Sequence, residues 1–357
     1  MRLPSYFDSR RAIRAGGWLA TILALLFAQT ACMQARADSP AASCVQPRPE
    51  DQVWAVSCRS LGCEPLEQQV TQLKYWRYDR QRSWVRSSLS ELVATDDPNV
   101  ITTLFAHGNR ISHEEAFSTG WTAYRALAQS ADEHPIRFII WSWPSESYRG
   151  LVEDARMKAW RTGPAGYHLG WFVDQLNPQA PVSFLGHSFG ARVVTGALHL
   201  LGGGSLDGHR LGKRVHPDRQ LVQVVLLVAA LDNDWLLPGH YHGRAMSQVA
   251  GMFLVNNNSD MLLKHYHILY GRRGPEEALG YTGLATWCVS NADLSKVSQI
   301  DGGCQVGRRH QIVGYLESPD LVARMRPYLV CAPSVGPPKL QAQIATSRRG
   351  EPTLPAE

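Results

Sequence analysis

The sequence predicts one large α/β domain with a mainly parallel sheet and helices on both faces. Three observations predict this class. The strand candidates are continuous apolar runs, which is typical of strands buried on both faces. Segments with helical spacing separate these runs. The 357 residues are 44% hydrophobic and 19% charged, an ordinary globular balance that excludes a disordered chain, a collagen-like fibre or a polytopic membrane protein.

The elements alternate along the chain. Strands are predicted where short apolar runs end at turn or charged residues, over 53–57, 73–78, 84–87, 99–106, 137–142, 181–185, 221–231 and 249–255. Helices are predicted where apolar residues recur at helical spacing, over 114–130, 150–176, 192–201 and 320–329. The stretch 150–176 is expected to be interrupted at Gly163-Pro164, since proline breaks helices.

Both ends of the chain differ in composition from the part between them. Four arginines precede an apolar run over 18–28, and an A-x-A cleavage site then ends at Ala37, so residues 1–37 are predicted to be an export signal. An uncleaved anchor is the alternative, although a membrane span needs about 20 apolar residues. Residues 38–50 are predicted to be a linker and 332–357 a disordered, proline-rich tail, which leaves 51–331 as the α/β domain.

The leader also affects the expected compartment and partners. The formal net charge is +5, and most of it lies on leader arginines. A near-neutral mature chain gives no reason to expect a nucleic-acid partner. The protein is expected to be periplasmic or secreted. It is expected at a membrane only if the leader stays uncleaved or if Cys32 is lipidated, and Gln29 makes that lipidation motif imperfect.

Cysteine usage predicts disulfides. Removing Cys32 with the leader leaves six of the seven cysteines, and an even number in an exported chain indicates pairing. We expect a bridge between Cys288 and Cys304, because the polar stretch between them has little apolar content to hold it. A bridge between Cys304 and Cys331 is the alternative.

The strongest local motif is the G-x-S-x-G pattern of residues 186–190, Gly-His-Ser-Phe-Gly. The pattern alone is weak, because glycine and serine are common in this chain. Its context is informative: a predicted strand ends before Gly186 and a helix begins after Gly190, which is the strand–turn–helix of a nucleophile elbow presenting Ser188. Glycines suit the two positions where strand and helix approach too closely for side chains. A plain glycine-rich turn is the alternative.

A second segment, His107-Gly108-Asn109, directly follows the predicted strand 99–106. The carboxyl ends of parallel strands meet at one edge of the sheet, so this glycine-containing loop can bring a backbone N–H to the tip of the elbow. We therefore assign an oxyanion hole to the N–H groups of Asn109 and Phe189. His107 is expected to brace its loop through hydrogen bonds rather than to act as a base.

With these segments the sequence resembles the α/β-hydrolase family, and more narrowly a poorly characterised bacterial subfamily with an HGN loop and a GHSFG elbow. The shared segments are LFAHGN, FIIWSWPS, FLGHSFGARVV and NNNSDMLLKHYHILYG, and the similarity extends over about 53–329. The resemblance implies the α/β-hydrolase fold and the chain order nucleophile, acid, histidine.

Two positions are open for the acid. Asp232 follows the very apolar strand 221–231, whereas Asp260 follows the next strand, 249–255. The resemblance places the acid after the later strand, so we choose Asp260 and keep Asp232 as the alternative. His310 is the predicted base, because it lies after the last predicted strand and before the closing helix.

Neither a metal nor a cofactor is expected. His240 and His242 have no cysteine or carboxylate at ligand spacing, and we interpret them as part of a polar surface loop. Cys58-x4-Cys63 has no second close pair and no adjacent histidine, so zinc is not expected there. His113 lacks the second histidine of an H-E-x-x-H motif.

These residues together predict a serine hydrolase whose partner is a small-molecule acyl substrate. His310, oriented by Asp260, would take the proton of Ser188 during attack on an acyl carbon, and water would hydrolyse the acyl-enzyme. A carboxylic ester is the expected substrate class. A peptidase, thioesterase or acyltransferase with the same triad is one alternative, and a non-catalytic α/β-hydrolase-like binding protein is another.

Overall fold

A computed structural model describes residues 46–62, 66–129, 134–147, 150–266, 277–285, 293 and 295–330. Across these residues one sheet has the strand order β3-β2-β1-β5-β4-β6-β7-β8-β9. The strands are β1 Gln52–Ser57, β2 Lys74–Asp79, β3 Ser83–Ser87, β4 Ile101–Ala106, β5 Ile136–Ser142, β6 Val182–His187, β7 Val222–Leu227, β8 Val249–Asn256 and β9 Val297–Asp301.

Helices of very different length connect the strands. In the described ranges they are α1 Leu66–Gln69, α2 Leu89–Ala94, α3 His113–Ala128, α4 Leu151–Gln175, α5 Phe189–Leu201, α6 Met261–Lys264, α7 Leu279–Thr282, α8 Gly303–Val306, α9 Ile312–Leu316 and α10 Pro319–Leu329. Two 3₁₀ turns, Val70–Gln72 and Ala245–Gln248, complete the described elements.

The sheet is mainly parallel, as the sequence predicts. Only β1 with β2 and β2 with β3 pair in the antiparallel sense; the six remaining neighbouring pairs are parallel. The carboxyl ends of β1 and β4–β9 therefore lie at one edge of the sheet, where the loops that follow them can meet. With the helices that cover both faces, this sheet has the predicted α/β-hydrolase fold.

Alternate residues of β5 face different helices. A Cβ at Gly120 of α3 would lie 2.6 Å from the Ile140 side chain, so Ile140 faces α3. The next residue, Trp141, packs its ring against Phe172 of α4 at a centroid distance of 5.7 Å. Side chains alternate between the faces of a strand, so α3 and α4 lie on opposite faces. α10 lies beside α3, and α5 packs along α4.

The helix α4 corrects one prediction. It is continuous from Leu151 to Gln175, and the interruption expected at Gly163-Pro164 is wrong. Its packing on α5 is unusually close, since a Cβ at Gly166 would lie 3.2 Å from a carbonyl oxygen of α5. Tertiary packing of this kind overrides local preference and keeps the chain helical past Pro164.

The region before His310 corrects a second prediction. Cys58 and Cys304 are free thiols, so the expected disulfide between Cys288 and Cys304 is not formed. Residues 297–302 of this stretch are held instead by β9, which pairs with β8 in parallel, and by the Gly302 N–H, which donates to the Asn256 carbonyl at 2.8 Å.

Several expectations lie outside the described residues. These concern the leader 1–37, most of the linker 38–50 and the tail 332–357, together with Cys32, Cys44, Cys63, Cys288 and Cys331. In the ranges that are described, no helix is both long enough and apolar enough to cross a bilayer.

The helix α5 approaches the end of β4 so closely that only glycine fits between them. A Cβ at Gly190 would lie 2.0 Å from the Ala106 carbonyl oxygen and 2.7 Å from that of His107. Both neighbours are main-chain atoms, which cannot move away without shifting the strand or the helix. The position of α5 relative to β4 thus depends on glycine at 190.

Gly190→Ala is expected to destabilise the protein by about 3 kcal/mol or more, because overpacking against the main chain forces α5 away from β4. The urea unfolding midpoint measures this effect. Gly212→Ala is the matched control: a Cβ there meets nothing within 4 Å, so its stability should change by less than about 0.5 kcal/mol. Equal midpoints for the two variants would contradict the close approach of α5 and β4.

Candidate active site

Ser188 occupies a strained turn between β6 and α5. Its φ of 52° and ψ of −118° are values that a non-glycine residue rarely adopts. The Ser188 N–H donates to the Leu227 carbonyl at 3.0 Å, and the Ser188 carbonyl accepts from the Ala230 N–H at 3.2 Å. The segment at the end of β7 therefore holds both sides of the turn. This is the backbone geometry in which an elbow exposes its serine.

Ser188, His310 and Asp260 form a hydrogen-bonded chain of side chains. His310 Nε2 lies 2.8 Å from Ser188 Oγ, and His310 Nδ1 lies 2.6 Å from Asp260 Oδ2. His310 is in the loop between α8 and α9, whereas Asp260 is the N-cap of α6. The other carboxylate oxygen of Asp260 accepts from the N–H groups of Leu262 and Leu263 at 2.9 and 3.1 Å. Both oxygens of the carboxylate are thus fixed in place.

The surroundings of Asp260 keep it ionised although it is 0% exposed. Burial on its own would raise the pKa of Asp260, but the neighbouring His310 and the hydrogen bonds from His310, Leu263 and Leu262 outweigh it and lower that pKa below its usual value. A carboxylate only accepts hydrogen bonds, so Nδ1 of His310 carries the ring proton. In the neutral ring, Nε2 is then the acceptor that faces Ser188.

Asp232, the alternative acid, belongs to a different network. Its carboxylate accepts from the Tyr266 hydroxyl at 2.7 Å, and that hydroxyl accepts from Arg192 at 2.5 Å. The Arg192 guanidinium is buried and lies over the rings of Phe189 and Trp235, with its Cζ 4.9 and 4.7 Å from the centroids. This network joins α5 to the segment after α6, whereas Asp260 is the carboxylate that contacts His310.

His187 links the two loops on either side of Ser188, a role that the sequence analysis missed. Its Nε2 donates to the His310 carbonyl at 2.8 Å. A Cβ at Gly108 would lie 2.8 Å from His187 Nδ1, so the ring also fits closely against the HGN loop. Burial, and to a smaller extent the neighbouring His310, lowers the pKa of His187 to about 3. The ring is therefore neutral at physiological pH.

The HGN loop passes directly beside the serine. A Cβ at Gly108 would lie 3.3 Å from the Ser188 Cβ. Within the described part of the chain, the Asn109 N–H has no hydrogen-bond acceptor and the buried Asn109 Oδ1 has no partner. Phe189 is the first residue of α5, where the helix dipole is positive. The two expected oxyanion donors thus belong to segments that adjoin Ser188, the HGN loop and the start of α5.

His107 holds the start of this loop, in agreement with its expected bracing role. Its carbonyl accepts from Trp143 Nε1 at 2.8 Å, and its ring stacks on that of Trp143 with centroids 5.7 Å apart. Burial, together with the charge of Arg59, lowers the pKa of His107 to about 3. His107 is therefore a neutral, buried ring.

The two histidines considered as metal ligands, His240 and His242, lie in different environments. His242 is buried, with Nδ1 2.8 Å from the Thr195 hydroxyl, so the surface-loop interpretation is wrong for this residue. Its ring packs against Trp235, which draws it into the core. His240 is exposed and pairs with Asp234 at 3.0 Å. No group of three or more metal-ligating side chains is found in the described ranges.

Comparisons with known proteins give a distant likeness in fold. No family model matches this chain, and no curated protein matches it in sequence. It is similar to two crystal structures of esterase B from Lactobacillus rhamnosis. One of them is described as C6-C4 SN3 inhibited. Its sequence is 14% identical to this chain and its TM-score is 0.40, and the alignment covers 85% of this chain and 92% of the esterase chain. The second is described as inhibited with a C4-C4 SN3 tributyrin phosphonate. It is also 14% identical, with a TM-score of 0.41, and the alignment covers 86% of this chain and 92% of the esterase chain.

The two buried histidines beside Ser188 are expected to make folding sensitive to acid. The pKa of both is lowered to about 3, whereas an unfolded histidine titrates near about 6.5. Between these values the unfolded chain binds protons that the folded protein excludes. Their contribution is therefore fully present above about pH 6.5 and falls by up to about 1.4 kcal/mol per pH unit for each ring as the pH drops toward 3.

Urea unfolding at about pH 7.5 and about pH 5 measures this dependence. His187→Gln removes one of the two rings, so this variant should lose less stability between the two pH values than the wild type. His134→Gln, at an exposed position, is the control and should lose as much as the wild type. A His187→Gln protein with the wild-type pH dependence would contradict the buried, neutral state of His187.

Proposed function

We propose that this protein is a serine hydrolase that cleaves a carboxylic ester through an acyl-enzyme. The observation that carries the proposal is the chain from Asp260 through His310 to Ser188, with contacts of 2.6 and 2.8 Å. The strained serine turn at the carboxyl edge of the parallel sheet supports it, since a nucleophile elbow needs that geometry. The proposed substrate is a small-molecule ester, and the predicted leader 1–37 would direct the enzyme out of the cytoplasm.

The proposed reaction uses His310 as base and then as acid, with the other groups in supporting roles. His310 Nε2 takes the proton of Ser188 Oγ while Oγ attacks the acyl carbon, and the Asp260 carboxylate stabilises the imidazolium that forms. The N–H groups of Asn109 and Phe189 donate to the oxyanion of the tetrahedral intermediate. The imidazolium then gives its proton to the departing alcohol, leaving an acyl group on Ser188. Water, deprotonated by the same Nε2, hydrolyses this ester and restores the serine.

The alternatives differ in what leaves or what accepts the acyl group. A thioesterase releases a thiol, a peptidase an amine, and an acyltransferase passes the acyl group to an alcohol or amine instead of water. Parallel assays with p-nitrophenyl esters of several chain lengths, an acyl thioester and a peptide anilide distinguish these activities. A binding protein with the same fold would turn over none of them and would not react with a fluorophosphonate.

Ser188→Ala is expected to lower kcat for p-nitrophenyl ester hydrolysis by about 10⁴–10⁶, since the nucleophile is lost. It should also abolish labelling by a fluorophosphonate probe, which reacts with an activated serine. Ser247→Ala, at an exposed position, is the control and should keep both properties. Residual activity above a tenth of the wild-type value would exclude Ser188 as the nucleophile.

Asparagine variants distinguish the two candidate acids, Asp260 and Asp232. Asp260→Asn is expected to lower kcat by about 10³–10⁴, because an amide no longer selects the His310 tautomer that accepts the serine proton. Asp232→Asn should change kcat by less than about tenfold and act mainly on stability, since it weakens a buried network apart from His310. Steady-state kinetics together with urea unfolding measure both effects. The opposite ranking in kcat would assign the acid to Asp232.

A further inference from the structure

Arg59 reaches from the end of β1, past β5, to the loop that follows β4. Its Nε donates to the Ser142 hydroxyl at 2.6 Å, and its Nη2 donates to the carbonyls of Ile111 and Ser112 at 3.0 and 3.1 Å. Its Nη1 forms an ion pair with Glu146. Only 9% of the Arg59 side chain is exposed. The guanidinium thus joins three neighbouring strand ends from inside the protein.

The contacts of Arg59 also decide which nitrogen of His107 carries its proton. Arg59 Nη2 lies 3.2 Å from His107 Nε2, and the Trp143 N–H points to the same nitrogen at 3.3 Å. Both of these groups can only donate, so Nε2 is an acceptor and the proton is on Nδ1. Nδ1 lies 2.9 Å from the Gly108 carbonyl and therefore donates to it. The hydrogen bond from Nδ1–H thereby fixes the direction of the Gly108 carbonyl.

The direction of the Gly108 carbonyl determines the direction of the Asn109 N–H. The two groups belong to one planar trans peptide, in which they point opposite ways. A carbonyl held toward the His107 ring turns the Asn109 N–H away from that ring. The loop passes beside Ser188, and the Asn109 N–H has no acceptor among the described residues. A donor held in this way is available to a ligand atom at Ser188.

We propose that Arg59 is a positioning residue that aims the Asn109 N–H at the oxyanion by fixing the tautomer of His107. This inference rests on the proposed function, since the donor is useful only where an oxyanion forms on an acyl group at Ser188. A planar guanidinium suits the task because its five N–H donors point in fixed directions, whereas the three donors of an ammonium group rotate on a flexible stem. Without Arg59, the Trp143 N–H at 3.3 Å is the one of these two donors left on Nε2. The His107 proton can then move to Nε2, and in that tautomer the Gly108 carbonyl loses its donor.

Kinetics of Arg59→Gln and Arg59→Lys test the effect on catalysis. Arg59→Gln is expected to lower kcat about 10- to 100-fold with KM within about threefold, because a misaimed donor weakens binding of the transition state and not of the substrate. The inhibition constant of a trifluoromethyl ketone, which forms an oxyanion on the serine, should rise by the same factor. Arg59→Lys should fall between Arg59→Gln and the wild type. A change in KM alone would overturn the proposal.

Arg137→Gln is the matched control for loss of a buried arginine. Arg137 lies on β5, is 1% exposed and pairs with Asp96 at 2.9 Å. Its replacement should lower the unfolding temperature and leave kcat of the folded protein unchanged. If Arg137→Gln lowered kcat as much as Arg59→Gln does, the effect would be general loosening, and the proposal would be wrong.

A double-mutant cycle tests whether Arg59 acts through His107. If it does, the Arg59→Gln, His107→Gln protein should have a kcat within about threefold of that of the slower single variant. If the loss of kcat in the double variant equals the product of the losses in the two single variants, the two residues act independently. That result would overturn the proposed route.

The tautomer itself can be observed without any activity. Long-range ¹H–¹⁵N spectra of the wild type should show His107 protonated on Nδ1, and spectra of Arg59→Gln should show the Nε2-protonated form. An unchanged tautomer in Arg59→Gln would overturn the proposal; if that variant does not fold, the spectra of Arg59→Met, whose side chain cannot donate to Nε2, decide in the same way. Absence of both hydrolysis and fluorophosphonate labelling in the wild type would instead contradict the proposed function.

Discussion

The close approach of α5 to the carboxyl end of β4 is the constraint on which the rest of the site depends. Gly190 lies where a Cβ would overlap the Ala106 carbonyl. Because the helix lies so near the strand, the loop after β4 passes beside Ser188 rather than over it. That placement brings the backbone of Gly108 and the Ser188 side chain together, since a Cβ at Gly108 would lie 3.3 Å from the Ser188 Cβ. The glycine therefore sets the position of groups that it does not itself touch.

Burial gives the three histidines around Ser188 different chemistry. His107 and His187 are enclosed, and burial lowers the pKa of each to about 3, so they act as fixed hydrogen-bond donors and acceptors. The His310 side chain keeps 12% of its surface exposed and contacts an ionised carboxylate. One side-chain type thus supplies two enclosed supports and, in the proposed mechanism, the base. The surroundings, and not the residue type, separate these roles.

The sequence predicts most of the sheet, because strands buried on both faces are continuous apolar runs. The strand β9 was missed for the opposite reason: it lies at an edge and alternates between intermediate and exposed residues, so its pattern resembles a loop. The helix through Pro164 was misjudged because its contacts with α5 are not visible in local sequence. The lack of apolar residues predicts a disulfide, whereas main-chain pairing with β8 holds residues 297–301 of that stretch.

At the site, sequence order and resemblance selected Ser188, Asp260 and His310, and the structure brings these three side chains together. The residues that support them were harder to find. His187 occupies an x position of the G-x-S-x-G pattern, and Arg59 belongs to no motif. Both matter through contacts with loops that are distant in sequence, such as the 2.8 Å contact from His187 to the His310 carbonyl. Patterns within one segment carry no information on such contacts.

The separation of these groups along the chain has a consequence for assembly. Ser188 and His310 are 122 positions apart, and His310 and Asp260 are 50 apart. Contacts across such separations cost the chain conformational entropy before they stabilise it. A folding intermediate that contains only the strands up to β7 has the serine turn but not its base. In the proposed enzyme, recovery of hydrolysis during refolding would therefore report the docking of the segments after β7 onto the strands that precede them.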